Sequence, residues 1–252
     1  MSFMSHIEVL RKHIIRSLFS LFLGMTAVML NKELFFDKII LAPAKSKFVT
    51  YRFFRMIDKG KKNFILPEDL HLQNRWLFGQ FNAYIGVCLT GGVILSFPYI
   101  MYEFWRFIKP GLSKKEKSFF IKIFITTSLL FLFGILFGYF VLSPMTIQFA
   151  YVFKVSPILK NVFDLSDYVN TIIQSTLSMG LTFLLPIFVY FFTKIGLINQ
   201  NFLRTYRKHA FLVILIISAA LTPGDALNMF LAAIPILLLY ELSINVSYND
   251  KI

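Results

Sequence analysis

Three observations predict an all-α polytopic membrane protein with six transmembrane helices. Hydrophobic residues fill 57% of the 252 positions and charged residues only 15%, with 31 Phe. A soluble domain carries about 25% charged and about 45–50% apolar residues. The apolar excess is gathered into runs long enough to cross a bilayer, where a chain must satisfy its backbone internally and helices are the natural solution. The charges collect between these runs, where headgroups lie. The net charge of +13 therefore points to membrane lipids and to orientation, and no nucleic acid is expected as a partner. One cysteine, Cys88, excludes an intramolecular disulfide and a thiolate metal cluster. No cleavable signal peptide, internal repeat or low-complexity tract is evident, so 1–252 reads as one membrane domain.

Residues 2–13 read as a short amphipathic lead-in. Ser5 and Glu8 have the spacing of a capping box; Glu8 stands equally for a functional carboxylate. The first span is 14–30, with Arg11, Lys12 and Arg16 around its start. Residues 31–79 form a long outer loop, mixed in charged and aromatic residues and broken at Pro43 and Pro67, with a short helix near 47–57. Basic and aromatic residues interleaved beside a bilayer suit an interfacial segment.

The second span is 80–107. Gly86, Gly91 and Gly92 let another helix approach it closely, and Pro98 kinks it. Glu103, Trp105 and Arg106 mark the water boundary at its end, and Pro110-Gly111 turns the chain. The third span, 119–142, closes at Ser143-Pro144. A second outer loop, 145–167, ends in Asp164 and Asp167, the latter expected to start the fourth span, 168–192. The last pair is short. Residues 210–221 span about 18 Å at about 1.5 Å per residue, against a hydrocarbon core of about 30 Å; 226–242 returns after a turn at 222–225. Either a re-entrant hairpin or two short spans in a thinned bilayer fits. Six spans put both termini on one side. With the termini inside, 14 basic residues lie inside and 12 outside, 10 of the latter between Lys32 and Arg75. The third outer loop has none, which favours this orientation.

The motifs, in order, are His6-Ile-Glu-Val-Leu-Arg11; Ala42-Pro43; Phe97-Pro98 followed by Tyr102, Trp105, Phe107, Pro110-Gly111-Leu112 and Glu116; Gly138-Tyr139-Phe140 with Pro144; Gly180, Phe183 and Pro186; Leu221-Thr-Pro223 with Asp225; and Ala233-Ile-Pro235 with Tyr240-Glu241. They run through nearly the whole chain, which resembles TatC, the multispanning receptor subunit of the twin-arginine protein translocase. The resemblance implies six helices with short fifth and sixth members, a concave glove-like shape, and both termini in the cytoplasm of a bacterium, the chain lying in its inner membrane. It implies binding of twin-arginine signal peptides at the cytoplasmic face. It also implies assembly with TatA-type and TatB-type single-span subunits in a homo-oligomeric complex, and export driven by the proton-motive force. No cofactor or metal is implied.

Carried over position by position, Glu116 matches the first-loop carboxylate that meets the arginine pair; a solvated charge balancing Lys114, Lys115 and Lys117 is the plainer reading. Phe107 and Pro110 match positions that shape that loop, and Arg11 matches the N-terminal motif, with Glu8 beside it. Pro43 and Asp225 match outer-face positions, and Asp225 also suits a helix cap. Pro98, Tyr139, Pro235 and Glu241 are expected in structural or partner contacts. Three polar positions of the family are apolar here, namely Val9, Leu184 and Met229. A guanidinium matches a carboxylate through paired, charge-assisted hydrogen bonds that lysine cannot copy.

The rival readings are a small-solute secondary transporter, an intramembrane enzyme and a degenerate scaffold of the same shape. The first predicts inverted repeats and charged mid-membrane sites. The second predicts a nucleophile or metal constellation, yet His6, His13, His71 and His209 are scattered and no His-Glu-x-x-His or Gly-x-Ser-x-Gly occurs.

Overall fold

The computed structural model describes residues 3–57, 70–109, 120–156, 158, 161–194, 200–222 and 226–249. Its first helix, α1 (Phe3–Leu30), is continuous. The lead-in and the first span are therefore one element, since no Gly or Pro interrupts the sequence between them. Ser5 lies inside this helix rather than at its cap. Glu8 instead sits 3.7 Å from Lys12, one turn on, and both side chains are exposed.

After α1 the chain makes a π-helical segment (Leu34–Ile40), a single 3-10 turn (Ala42–Ala44) and the amphipathic helix α2 (Val49–Ile57), as expected near 47–57. The second span is α3 (Gly79–Ile108), which passes through Pro98 without ending. α1 and α3 pack antiparallel. Ser96 donates to the Ser20 carbonyl at 2.7 Å near one end, and Tyr84 donates to the Met29 carbonyl at 3.2 Å near the other. Between these contacts a Cβ on Gly92 would come within 2.9 Å of the Met25 backbone nitrogen. The small-residue contact expected of Gly91 and Gly92 thus closes on α1, whereas Gly86 meets only the tip of Ile173 at 3.2 Å.

The third span does not stop at Ser143-Pro144. It runs from α4 (Phe120–Phe137) through a π-helical turn (Gly138–Leu142) into α5 (Ser143–Val152). Proline is tolerated because it falls in the first turn of α5. The carbonyl of Phe140, four residues before Pro144, accepts the Thr50 hydroxyl of α2, and Ser143 donates its hydroxyl to the Gly138 carbonyl at 2.9 Å. Backbone groups in lipid need such partners.

The fourth span opens at Asp164, not Asp167. The Asp164 carboxylate caps α6 (Leu165–Thr182) by accepting the Ser166 amide at 2.8 Å. It also accepts the Arg75 amide at 3.0 Å, beside a two-residue parallel pairing of β1 (Leu72–Gln73) with β2 (Phe163–Asp164). The span breaks at Phe183-Leu184 before α7 (Leu185–Lys194), whose second residue is Pro186. A short helix, α8 (Gln200–Thr205), leads to α9 (Arg207–Leu221) and α10 (Ala226–Asn249).

Among the described residues, four stretches are long and apolar enough to cross a membrane: Ile7–Leu30, Gly79–Ile108, Ile121–Val152 and Leu165–Thr193. α9, at 15 residues, and α10, with its apolar stretch Asn228–Ile244, complete the six-helix, all-α bundle. Their core joins Ile214, Ala232 and Ile236 to Leu142 and Met179 of the third and fourth spans. A second core, around Tyr51, Val87, Tyr168 and Ile172, ties the first outer loop to the bundle. Ile15, Phe19 and Phe22 of α1 point outward, Phe22 being 66% exposed, as suits a lipid-facing helix side.

Candidate functional site

The antiparallel packing of α1 on α3 brings the N-terminal turns of one against the C-terminal turns of the other. There Glu103 is 1% exposed. Its carboxylate is in hydrogen-bond contact with His13 Nδ1, an N–H that donates to Oε2, and accepts the Tyr99 hydroxyl at 3.2 Å on Oε1. Arg16 Nη1 stands 3.9 Å from Oε2 and Arg106 Nη1 stands 3.8 Å from Oε1, both arginine side chains half exposed. The spacing explains the convergence. Tyr99, Glu103 and Arg106 fall at i−4, i and i+3 on α3, and His13 and Arg16 are three apart on α1, so each set shares one helix face. A buried carboxylate is tolerated only when paired and hydrogen-bonded, and these neighbours meet that demand. The sequence alone marks Glu103 only as a residue of the water boundary. What identifies it is the i−4, i, i+3 pattern facing a matching i, i+3 pair, a signal that requires knowing that α1 and α3 are partners.

The expected recognition residues surround this junction without all entering it. Phe107 sets its ring edge-on to His13, with centroids 6.0 Å apart. Arg11 is exposed, and Glu8 is engaged with Lys12. Pro110 and Glu116 lie outside the described residues, in the segment that follows Lys109. Val9 is partly buried at the same end.

The opposite end is held by tyrosine hydroxyls. Tyr51 donates to the carbonyls of Pro43 and Pro144, at 3.1 and 3.2 Å. Tyr139 donates to Ile39 at 2.7 Å, and Tyr168 to Ile40 at 2.8 Å. Burial pushes the Tyr51 phenol up, so it stays a donor. Pro43 thus sits fully buried where the first outer loop is pinned to the third span. In the last pair, Arg207 and Glu241 form an ion pair at 2.6 Å joining α9 to α10, and Tyr240 donates to the Leu203 carbonyl at 2.8 Å. Pro235 lies inside α10; Asp225 is outside the described residues. Leu184 is 4% exposed and packs with Phe97, Phe131 and Ile135. Among the described residues no group of three or more His, Cys, Asp or Glu side chains is placed to hold a metal ion.

Residues 5–235 match the family described as Sec-independent protein translocase protein (TatC). A TatC of Blattabacterium sp. subsp. Periplaneta americana (strain BPLAN) is 48% identical over 98% of this chain and 95% of its own length. The chain belongs to the TatC family. A TatC of Desulforapulum autotrophicum is 33% identical over 96% of this chain and 82% of its own length. Two crystal structures of the twin arginine translocase receptor TatC share the fold. One superposes with a TM-score of 0.73 at 28% identity, covering 98% of this chain and all of the other. The second, in DDM, gives 0.76 at 27% identity over 96% and 99%. As a TatC-family chain this is a multi-pass membrane protein and a component of the twin-arginine protein translocation system, not an enzyme. The Glu103 cluster is therefore a feature of a TatC bundle, placed where its first two spans end together.

Proposed function

We propose that the chain is the signal-peptide receptor of a twin-arginine translocase in a bacterial inner membrane, with both termini cytoplasmic. The observation that carries this reading is the meeting of α1 and α3 at Glu103, with two half-exposed guanidiniums about a single carboxylate. This end of the bundle already pairs a buried carboxylate with arginine, and the exposed Glu8 stands five residues before His13 on α1. Glu116, seven residues beyond Lys109, is the carboxylate assigned to the incoming arginine pair, with Phe107 and Pro110 shaping its approach and Arg11 and Glu8 beside it. An exposed ion pair contributes only about 0–1 kcal/mol, so the apolar part of the peptide must add contacts along the concave side of the bundle.

The rest of the assignment follows from the same reading. TatA-type and TatB-type single-span subunits pack along the fourth to sixth spans, with Glu241 and Pro235 on that side, and several copies assemble in a homo-oligomer. Residues 1–252 act as one membrane unit. No nucleotide-binding motif occurs in the sequence, and the energy for export is assigned to the proton-motive force. Leu184, buried among aromatic rings, offers no carboxylate for subunit contacts, so these must rest on packing.

The test is a photo-crosslinker at Ser113 in native membranes, offered a twin-arginine signal peptide and its twin-lysine variant, with Glu116 intact or Glu116→Ala. Crosslinking that needs arginine and is lost in Glu116→Ala is the expected result. Equal crosslinking of both peptides, indifferent to Glu116→Ala, sinks the receptor reading and leaves a scaffold of TatC shape.

A further inference from the structure

A cavity of about 650 Å³ opens between α3, the α4–α5 span and α6, at the end of the bundle away from the N-terminus. Its volume falls within the about 300–1,000 Å³ of sites that enclose a ligand. Its walls are largely apolar, with Ile94 from α3, Ile135 from α4, Ile172 from α6 and the rings of Phe48 and Phe140. The Tyr139 hydroxyl on its wall is already committed to the Ile39 carbonyl. Leu95 and Leu136 line it yet remain well exposed, so the space opens sideways, toward lipid, rather than into the core.

The loop end of the cavity has the opposite chemistry. Lys38, Lys45 and Lys47 all line it there, all three exposed. Among the described residues none of them has a carboxylate within ion-pair distance. The adjoining α2 shows Val49, Phe53 and Met56 outward at i, i+4 and i+7, with the exposed Arg52 and Arg55 along one edge of that stripe. An apolar stripe flanked by basic residues is the pattern of a helix lying in a lipid surface. The cavity's charged mouth thus lies at headgroup level and its apolar slot runs inward from there.

We propose that this cavity holds one anionic phospholipid of the leaflet on that side, its phosphate among Lys38, Lys45 and Lys47 and one acyl chain in the slot between Ile94, Ile135 and Ile172. Three exposed ammonium groups at one end and apolar walls at the other complement an anion carrying a long aliphatic chain. A free phosphate has no use for the slot, and a zwitterionic lipid brings a cationic headgroup that the lysines repel. The site is at the opposite end of the bundle from Glu103, and it does not depend on the receptor reading.

The test is a titration of the full chain, purified in a mild non-ionic detergent, with phosphatidylglycerol and with phosphatidylcholine of identical acyl chains, read by native mass spectrometry. One phosphatidylglycerol bound about tenfold more tightly than phosphatidylcholine is expected, since each lysine near a lipid surface adds to anion affinity. The triple change Lys38→Gln, Lys45→Gln, Lys47→Gln reduces this preference to within about twofold. Ile94→Phe narrows the slot and weakens both lipids. Unchanged melting curves in detergent alone show that the variants fold; where the triple variant does not, Lys38→Gln and Lys47→Gln singly each reduce the preference by about twofold. Equal affinity for the two lipids, a preference that survives the lysine changes, or displacement of the lipid by equimolar glycerol phosphate overturns the proposal. So does a cavity that takes an apolar signal-sequence peptide but retains no lipid.

Discussion

Glu103 is the residue whose environment constrains the molecule most. Its oxygens face His13, Tyr99, Arg16 and Arg106, and replacing it removes the acceptor of the first two and the counter-charge of the two arginines. Glu103→Leu should destabilise the detergent-solubilised chain by about 1–3 kcal/mol, the cost of leaving buried donors unsatisfied, with Arg16 and Arg106 relaxing into water. Glu103→Gln keeps an acceptor for His13 and should lose less; urea unfolding of the two variants side by side checks the order. Asp164 gives a pH-dependent counterpart outside the spans. The Arg75 and Ser166 amides hold its carboxyl below the usual carboxylate range. A lowered folded-state pKa stabilises the fold above the unfolded value, about 3.9, and that contribution is lost as pH falls through the folded value. The melting-temperature gap between the native chain and Asp164→Ala should therefore be present at pH 7 and shrink steadily below about pH 4. A gap that persists at pH 2 contradicts this account.

Among the elements, the α1–α3 pair shows what a sequence displays and what it hides. Length, polarity and the glycines at 86, 91 and 92 mark a long second span with a close neighbour, although only Gly91 and Gly92 lie against α1. Which helix was the neighbour was not visible, because helix pairing is set by surface fit across the chain rather than by local pattern. Gly92→Leu should overpack against the Met25 backbone and cost about 1–3 kcal/mol, whereas Gly86→Ala, which meets only the flexible tip of Ile173, should be tolerated. Thermal unfolding of both variants distinguishes the two glycines. Two element ends were misplaced for an equally physical reason. Ser143-Pro144 looks like a stop, but a π-turn upstream, with Thr50 and Ser143 donating to nearby carbonyls, lets the helix continue. Asp167 looked like a cap, yet a cap is defined by which amide its oxygen reaches, and Asp164 reaches Ser166.

For the whole molecule, fold class and span count were legible because bilayer thickness imposes them on composition. The cluster at Glu103 was not, because its members come from two helices 90 residues apart. The short α9 has a consequence at this scale. Its 15 residues span about 22 Å, less than the about 30 Å hydrocarbon core, so the chain should melt at a higher temperature in nanodiscs of short-chain lipids than in long-chain ones. No dependence on lipid length would remove the case for local thinning. The separation of His13 from Glu103 also sets an order of events during synthesis. At about 5–20 residues per second, the ribosome needs roughly 5–20 s after releasing His13 before Glu103 exists. α1 waits in the membrane over that interval with its partner unmade, and α3 then enters carrying a carboxylate that has Arg106 of its own helix beside it but still lacks His13 and Arg16 of α1. An insertion chaperone that shelters either helix would act within this interval, and the His13–Glu103 contact is what ends it.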